Sequence, residues 1–154
     1  MDLTQYKEQM TDIAMQTGKF VRGAKYVRQW DKHFSEKEYM VKKAEEFGML
    51  TDVKTAIDVG TGVGMLPYVL MQKGIHVEAT DIEEEVTGPM FKKCCDLINL
   101  KRHHLYIYNG KPMDFPGKYD LFIASRTEFD REFLEPGETF DYIQHGYLLN
   151  KPEM

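Results

Sequence analysis

Cysteine is nearly missing from this chain, and the two present, Cys94 and Cys95, are neighbours. Adjacent cysteines offer neither metal-ligand nor redox spacing, so both read as small buried hydrophobes on one helix. Long apolar runs are absent as well. None approaches the roughly 18–20 residues that cross a bilayer. The first residues are polar and lack the apolar segment of a secretory leader, so the expected location is cytoplasmic. Positive charge is in deficit: 20 Lys and Arg face 25 Asp and Glu, for a net charge of -5. That balance argues against a surface that coats nucleic acid. No internal repeat, low-complexity segment or linker is visible.

The 154 residues are enough for one domain with a real core. The amino-terminal third reads as helical. Thr4 is placed to cap a first helix carrying Tyr6, Met10, Ile13 and Ala14 at helical spacing. A second helix is expected over Gly23 to His33, with Tyr26, Val27 and Trp30 on one face. "SEKE" then forms a capping box, Ser35 with Glu38, opening a third helix that runs to Phe47 and ends at Gly48.

The rhythm changes after residue 50. "TAIDV" (55–59), "HVEAT" (76–80), "HLYIY" (104–108) and "DLFIAS" (120–125) read as strands. Helices are expected over 65–73, where Pro67 falls in the first turn, over 88–100, and from about Pro136 through Tyr147. The basic run "KRHH" (101–104) reads as a solvated helix end. Alternating strands and helices predict an α/β fold, a three-layer α/β/α sandwich with a mostly parallel sheet. Residues 1–50 are expected to pack as a helical segment on the same domain as 51–154.

Gly60, Gly62 and Gly64 lie between the first strand and its helix. Without a Cβ they let a ligand approach the backbone, at the carboxyl end of the sheet where such folds bind ligands. Asp81 closes the second strand, 21 positions after Gly60 (81 − 60). A carboxylate there can accept both hydroxyls of a ribose. The dinucleotide fingerprint wants small residues at its first, third and sixth positions; here these are Gly60, Gly62 and Met65. Asp58, two residues before the loop, would repel a pyrophosphate and suits a ligand bearing an ammonium or sulfonium group.

"AIDVGTGVG" and "ATDI" resemble the first two motifs of the class I S-adenosylmethionine (SAM)-dependent methyltransferases, and "YDLFIAS" looks like their fourth strand. The resemblance covers roughly residues 35–150. It implies a Rossmann-like fold and SAM as cofactor, with S-adenosylhomocysteine as product. By the same resemblance, Asp58 orients the methionine ammonium through Gly60 and water. Gly60, Thr61, Gly62 and Gly64 form the methionine loop, Asp81 holds the ribose and Ile82 packs on adenine. Asn109 and Gly110 reach the adenine edge, and Ser125 with Arg126 faces the methyl-transfer position. Trp30, Tyr26 and Phe34 read either as a lid over the site or as core.

Two departures stand out. The amino-directed members carry Asn/Asp-Pro-Pro-aromatic after the fourth strand, whereas this chain reads "IASRTEFD". Adenine or glutamine-amide methylation is therefore unsupported, and Arg126, Glu128 and Asp130 read as polar substrate contacts or a solvated loop. The family sheet has seven strands in the order 3-2-1-4-5-7-6, and only four are expected here, a truncated form. Methyl transfer by direct displacement needs mainly positioning, so no catalytic residue is assigned. No metal is expected, since His103 and His104 lack a carboxylate at ligand spacing. The expected function is methyl transfer to an unidentified small-molecule or protein acceptor. The alternatives are a SAM-cleaving lyase or hydrolase and a non-catalytic SAM-binding module. With the order 3-2-1-4 the apolar strand Leu121–Ala124 lies at an edge, which predicts a homo-oligomer through it or the last helix.

Overall fold

A computed structural model describes residues 1–17, 27–81, 88–104 and 117–124. Among the described residues the elements are α1 (Leu3–Thr17), α2 (Trp30–Glu46), β1 (Thr55–Val59), α3 (Met65–Met71), β2 (His76–Asp81), α4 (Gly88–Asp96), β3 (Lys101–His104) and β4 (Leu121–Ala124). Strands and helices alternate from β1 to β3 after an all-helical start. Among the described residues no helix is long and apolar enough to cross a membrane.

The strands form one parallel sheet in the order β3-β2-β1-β4. This is the order that the family resemblance implies. Parallel neighbours require crossovers, and α3 and α4 supply them. Strand alternation divides the core. Ala56, Val77, Ala79, Leu121 and Ile123 share one cluster with the buried faces of all four helices, while Ile57, Val59, Tyr119, Phe122 and Ala124 form a second cluster on the opposite face. The described helices thus make one layer over one side of the sheet. The helix expected from Pro136, which would cover the other side, lies outside the described residues. Asp120 ties β4 to the start of β1: its carboxylate accepts from the Lys54 and Thr55 amides at 2.9 and 3.1 Å, and its amide donates to the Thr55 hydroxyl at 3.0 Å.

Several local expectations are corrected. The cap of α1 is Asp2, not Thr4, because the Asp2 carboxylate accepts from the Gln5 amide at 2.9 Å. Ser35 caps nothing: α2 runs unbroken from Trp30, so "SEKE" lies inside it. The buried stripe Trp30, Phe34, Val41 and Ala44 crosses that point, and burying it outweighs a cap worth about 1 kcal/mol. Gly48 does end α2, at φ +73°, with the Met49 amide bonded to the Ala44 carbonyl at 2.9 Å. The third strand begins at Lys101 rather than His104, so "KRHH" is strand, not a helix end. Its charges are tolerable because β3 borders the described sheet and its pairing sets Lys101 beside Glu78. Helix α4 stops at Asp96, and Asn99 takes the left-handed conformation at φ +53°. The side chains of β4 are all buried within the single chain.

Trp30 and Phe34 are core, not lid. Both are 5% exposed and stacked, with centroids 4.5 Å apart. Tyr6 stacks on Tyr68 at 4.2 Å and meets Trp30 edge-on at 6.2 Å, which fastens α1 and α2 to the crossover helix α3. Tyr26 lies outside the described residues. The Tyr6 hydroxyl is buried without a hydrogen-bond partner, and burial pushes its pKa far up. Leaving a buried hydroxyl unpaired costs about 1–3 kcal/mol. Tyr6→Phe is therefore expected to be neutral or to stabilise by up to about 1 kcal/mol in urea unfolding. A loss above about 1 kcal/mol would show that the hydroxyl has a partner in solution.

Candidate functional site

The chain leaves β1 at Val59 and must turn at once to reach α3. Gly60, Gly62 and Gly64 make that turn at φ +71°, +60° and +83°. Two amides of the loop, from Gly60 and Thr61, donate to the Thr80 carbonyl at 2.9 and 3.2 Å, which fixes the loop against the end of β2. The Gly62 amide donates to an Asp81 carboxylate oxygen at 2.7 Å. On the other side of Gly62, the Cys95 thiol donates to its carbonyl at 3.5 Å. A Cβ on Gly62 would meet no atom within 4 Å and would project into open space beside the loop. Gly64 differs: a Cβ there would lie 3.3 Å from Cys95 Sγ and 3.4 Å from Leu100 Cδ2.

Asp58 sits beneath this loop, 3% exposed. Burial pushes its carboxyl up to about 7. The Thr61 hydroxyl and Lys37 oppose that shift, and Asp81 adds to it. Thr61 Oγ1 is itself buried with no partner in full hydrogen-bond geometry, so its help is a dipole nearby rather than a tight bond. Desolvation is the largest contribution, and the Thr61 dipole and the Lys37 charge offset it only in part. The result is a carboxyl whose ionised form is disfavoured in the structure as it stands.

Of the expected site residues, the structure brings Asp58, Gly60, Thr61, Gly62, Gly64 and Asp81 together at the carboxyl ends of β1 and β2. Ile82, Asn109, Gly110 and Ser125, with Arg126, Glu128 and Asp130, lie outside the described residues. Sequence reasoning missed Cys95, Lys37 and the Thr80 carbonyl. Helical spacing placed Cys94 and Cys95 inward, but nothing local tells that Cys95 meets the loop. A second polar cluster was also missed. Glu78 accepts from Tyr119 Oη at 3.0 Å and contacts His103 Nε2 at 2.6 Å and His76 Nε2 at 3.0 Å. The histidine contact, chiefly His103, holds its carboxyl down near 2. Among the described residues no His, Cys, Asp and Glu group has the geometry to hold a metal.

Two measurements follow from this geometry. Gly74 adopts φ +80° with open space around a would-be Cβ, whereas Gly64 at φ +83° is crowded. Gly74→Ala should cost about 1–2 kcal/mol from backbone strain alone. Gly64→Ala should cost at least about 1 kcal/mol more, since overpacking adds to strain. Equal losses in denaturant unfolding would show that Cys95 and Leu100 yield freely. For Asp58, the folded chain holds its proton up to about pH 7, while an unfolded aspartate releases it near 4. The folded state therefore binds more protons between these values, and stability falls as pH rises across that window. Asp58→Asn removes this component. Its stability relative to the parent should improve by on the order of 2–4 kcal/mol between pH 4 and pH 8. A difference that stays flat with pH would place the Asp58 pKa at its ordinary value.

No known family profile matches the chain. It is 27% identical over 89 residues to the tRNA1(Val) (adenine(37)-N6)-methyltransferase of Proteus mirabilis, a match covering 53% of this chain and 34% of that protein. The chain thus spans about a third of the curated relative that it matches. Solved structures with similarity include the SAM-bound amino pentose methyltransferase CalS10 of Micromonospora echinaspora, at 17% identity and TM-score 0.46, covering 61% of this chain and 38% of that one. Magnesium protoporphyrin IX methyltransferase (ChlM) of Synechocystis PCC 6803, with SAH bound, matches at 22% identity and TM-score 0.44, over 82% and 59%. The glycine loop, the strand-end Asp81 and the parallel order β3-β2-β1-β4 together make a Rossmann-like α/β fold, and over 89 residues the chain is similar in sequence to a methyltransferase.

Proposed function

We propose that this chain binds SAM at the carboxyl ends of β1 and β2 and acts as a SAM-dependent methyltransferase on a small-molecule or protein acceptor. The observation that carries this reading is a desolvated carboxyl, Asp58, beneath a three-glycine loop whose far side is fixed by Asp81. Asp81 makes the site negative, and Asp58 adds a second charge when an approaching cation draws off its proton. That favours a ligand with ammonium and sulfonium charges and disfavours a pyrophosphate. The open space over Gly62 fits a ligand lying against the backbone. When bound, SAM supplies an electrophilic methyl group on its sulfonium. The chain's own part is to hold that group: Asp58 orients the ammonium through Gly60 and water, and Asp81 takes the ribose hydroxyls. Ile82 and Asn109 are assigned to adenine by sequence position.

The relative from Proteus mirabilis is named for an adenine amino group. This chain has "IASRTEFD" where amino-directed enzymes place their Asn/Asp-Pro-Pro motif, so the same acceptor is not proposed here. Calorimetric titration tests the cofactor assignment. SAM and S-adenosylhomocysteine should bind at least about tenfold more tightly than NAD, and Asp81→Ala should lose about 1–3 kcal/mol of affinity. Equal affinity for NAD, or an unchanged Asp81→Ala titration, overturns it. Release of methylthioadenosine without a methylated acceptor would favour SAM cleavage instead.

A further inference from the structure

Gly62 is gripped on both sides of its residue by side chains from different elements. Its amide is held by Asp81 at the end of β2, and its carbonyl accepts from the Cys95 thiol on α4. The Cys95 sulfur also crowds Gly64, lying 3.3 Å from where a Cβ on that residue would be. One thiol therefore both bonds the middle of the loop and fills the space under its last glycine.

We propose that Cys95 is a positioning residue for the glycine loop, holding Gly62 and Gly64 in their ligand-ready conformation through its thiol, in opposition to Asp81. The inference rests on the SAM-site reading for its consequence, but not for its geometry. Cys95 is 0% exposed, so it has no part as a nucleophile or as a site of modification. Burial pushes its thiol well above the ordinary cysteine range, partly opposed by Arg102. The sulfur therefore keeps its hydrogen at neutral pH and remains a donor, as a thiolate would not. The bond is weak individually. Its worth lies in position: all three loop glycines sit at positive φ and have wide freedom when unrestrained. A site that must order its own loop loses that ordering free energy from binding.

The test compares Cys95→Ala, which removes the donor, with Cys95→Ser, which keeps one. The first readout needs no ligand: hydrogen exchange of the Gly62 amide, followed by NMR. Exchange should quicken about tenfold in Cys95→Ala and stay within about twofold of the parent in Cys95→Ser. The second readout is the Kd for S-adenosylhomocysteine, expected to rise about 3–10-fold in Cys95→Ala and to recover in Cys95→Ser. Should Cys95→Ala not fold, Cys95→Val takes its place as the donor-free variant. A residue that merely fills the core would lower the Tm of both variants and leave Gly62 exchange and the Kd unmoved, which overturns the proposal. So does a serine variant no better than the donor-free one. A parent protein that does not bind S-adenosylhomocysteine defeats the methyltransferase reading instead, and the exchange comparison still decides the role of Cys95.

Discussion

Parallel pairing on both sides of β1 is the constraint from which the rest of this structure follows. β1 lies between β2 and β4, with every side chain after Thr55 buried. A strand so enclosed ends in the middle of the molecule, and the chain must leave by a sharp turn into a crossover helix. The turn falls at the carboxyl edge, beside the end of β2. That is why the glycines, Asp58 and Asp81 converge although β1 and β2 are separated by a whole helix. The aromatic cluster of Tyr6, Trp30, Phe34 and Tyr68 serves the same arrangement by fixing α1 and α2 against α3, the helix that opens from the loop.

Burial and pairing set the charge of two strand carboxyls in opposite senses. Asp58 and Glu78 are both strand carboxyls, yet their titration moves in opposite directions. Glu78 is met by two histidines and a tyrosine hydroxyl, whose bonds favour its ionised form. Asp58 has lost water without gaining an equivalent partner. The contrast separates a carboxylate whose partners are already in place from one governed by desolvation. Glu78 binds β2 to β3 and to Tyr119, two residues before β4, and so explains why a strand as charged as "KRHH" holds its place.

Much of this was legible in the sequence. β1, β2 and the fourth strand stand where their short apolar runs put them, and the order 3-2-1-4 follows from the family resemblance. The helix end at Gly48 was legible because a left-handed residue there has a local cause. Less was legible where a local signal met a tertiary one. Ser35 and Glu38 have the chemistry of a helix start, but the apolar stripe from Trp30 to Ala44 runs through them. "KRHH" has the composition of a solvated end, but Glu78 on the neighbouring strand gives it a reason to pair.

By itself the sequence determined the loop and its two aspartates, since positive φ and close backbone approach demand glycine, and a strand-end carboxylate announces itself by position. Tertiary structure decided the rest: that Asp58 is buried and holds its proton to higher pH, that Asp81 grips the Gly62 amide, and that Cys95 lies beneath the same residue. Burial depth and contact between elements distant along the chain depend on how helices seat on the sheet. No short window of sequence records that packing.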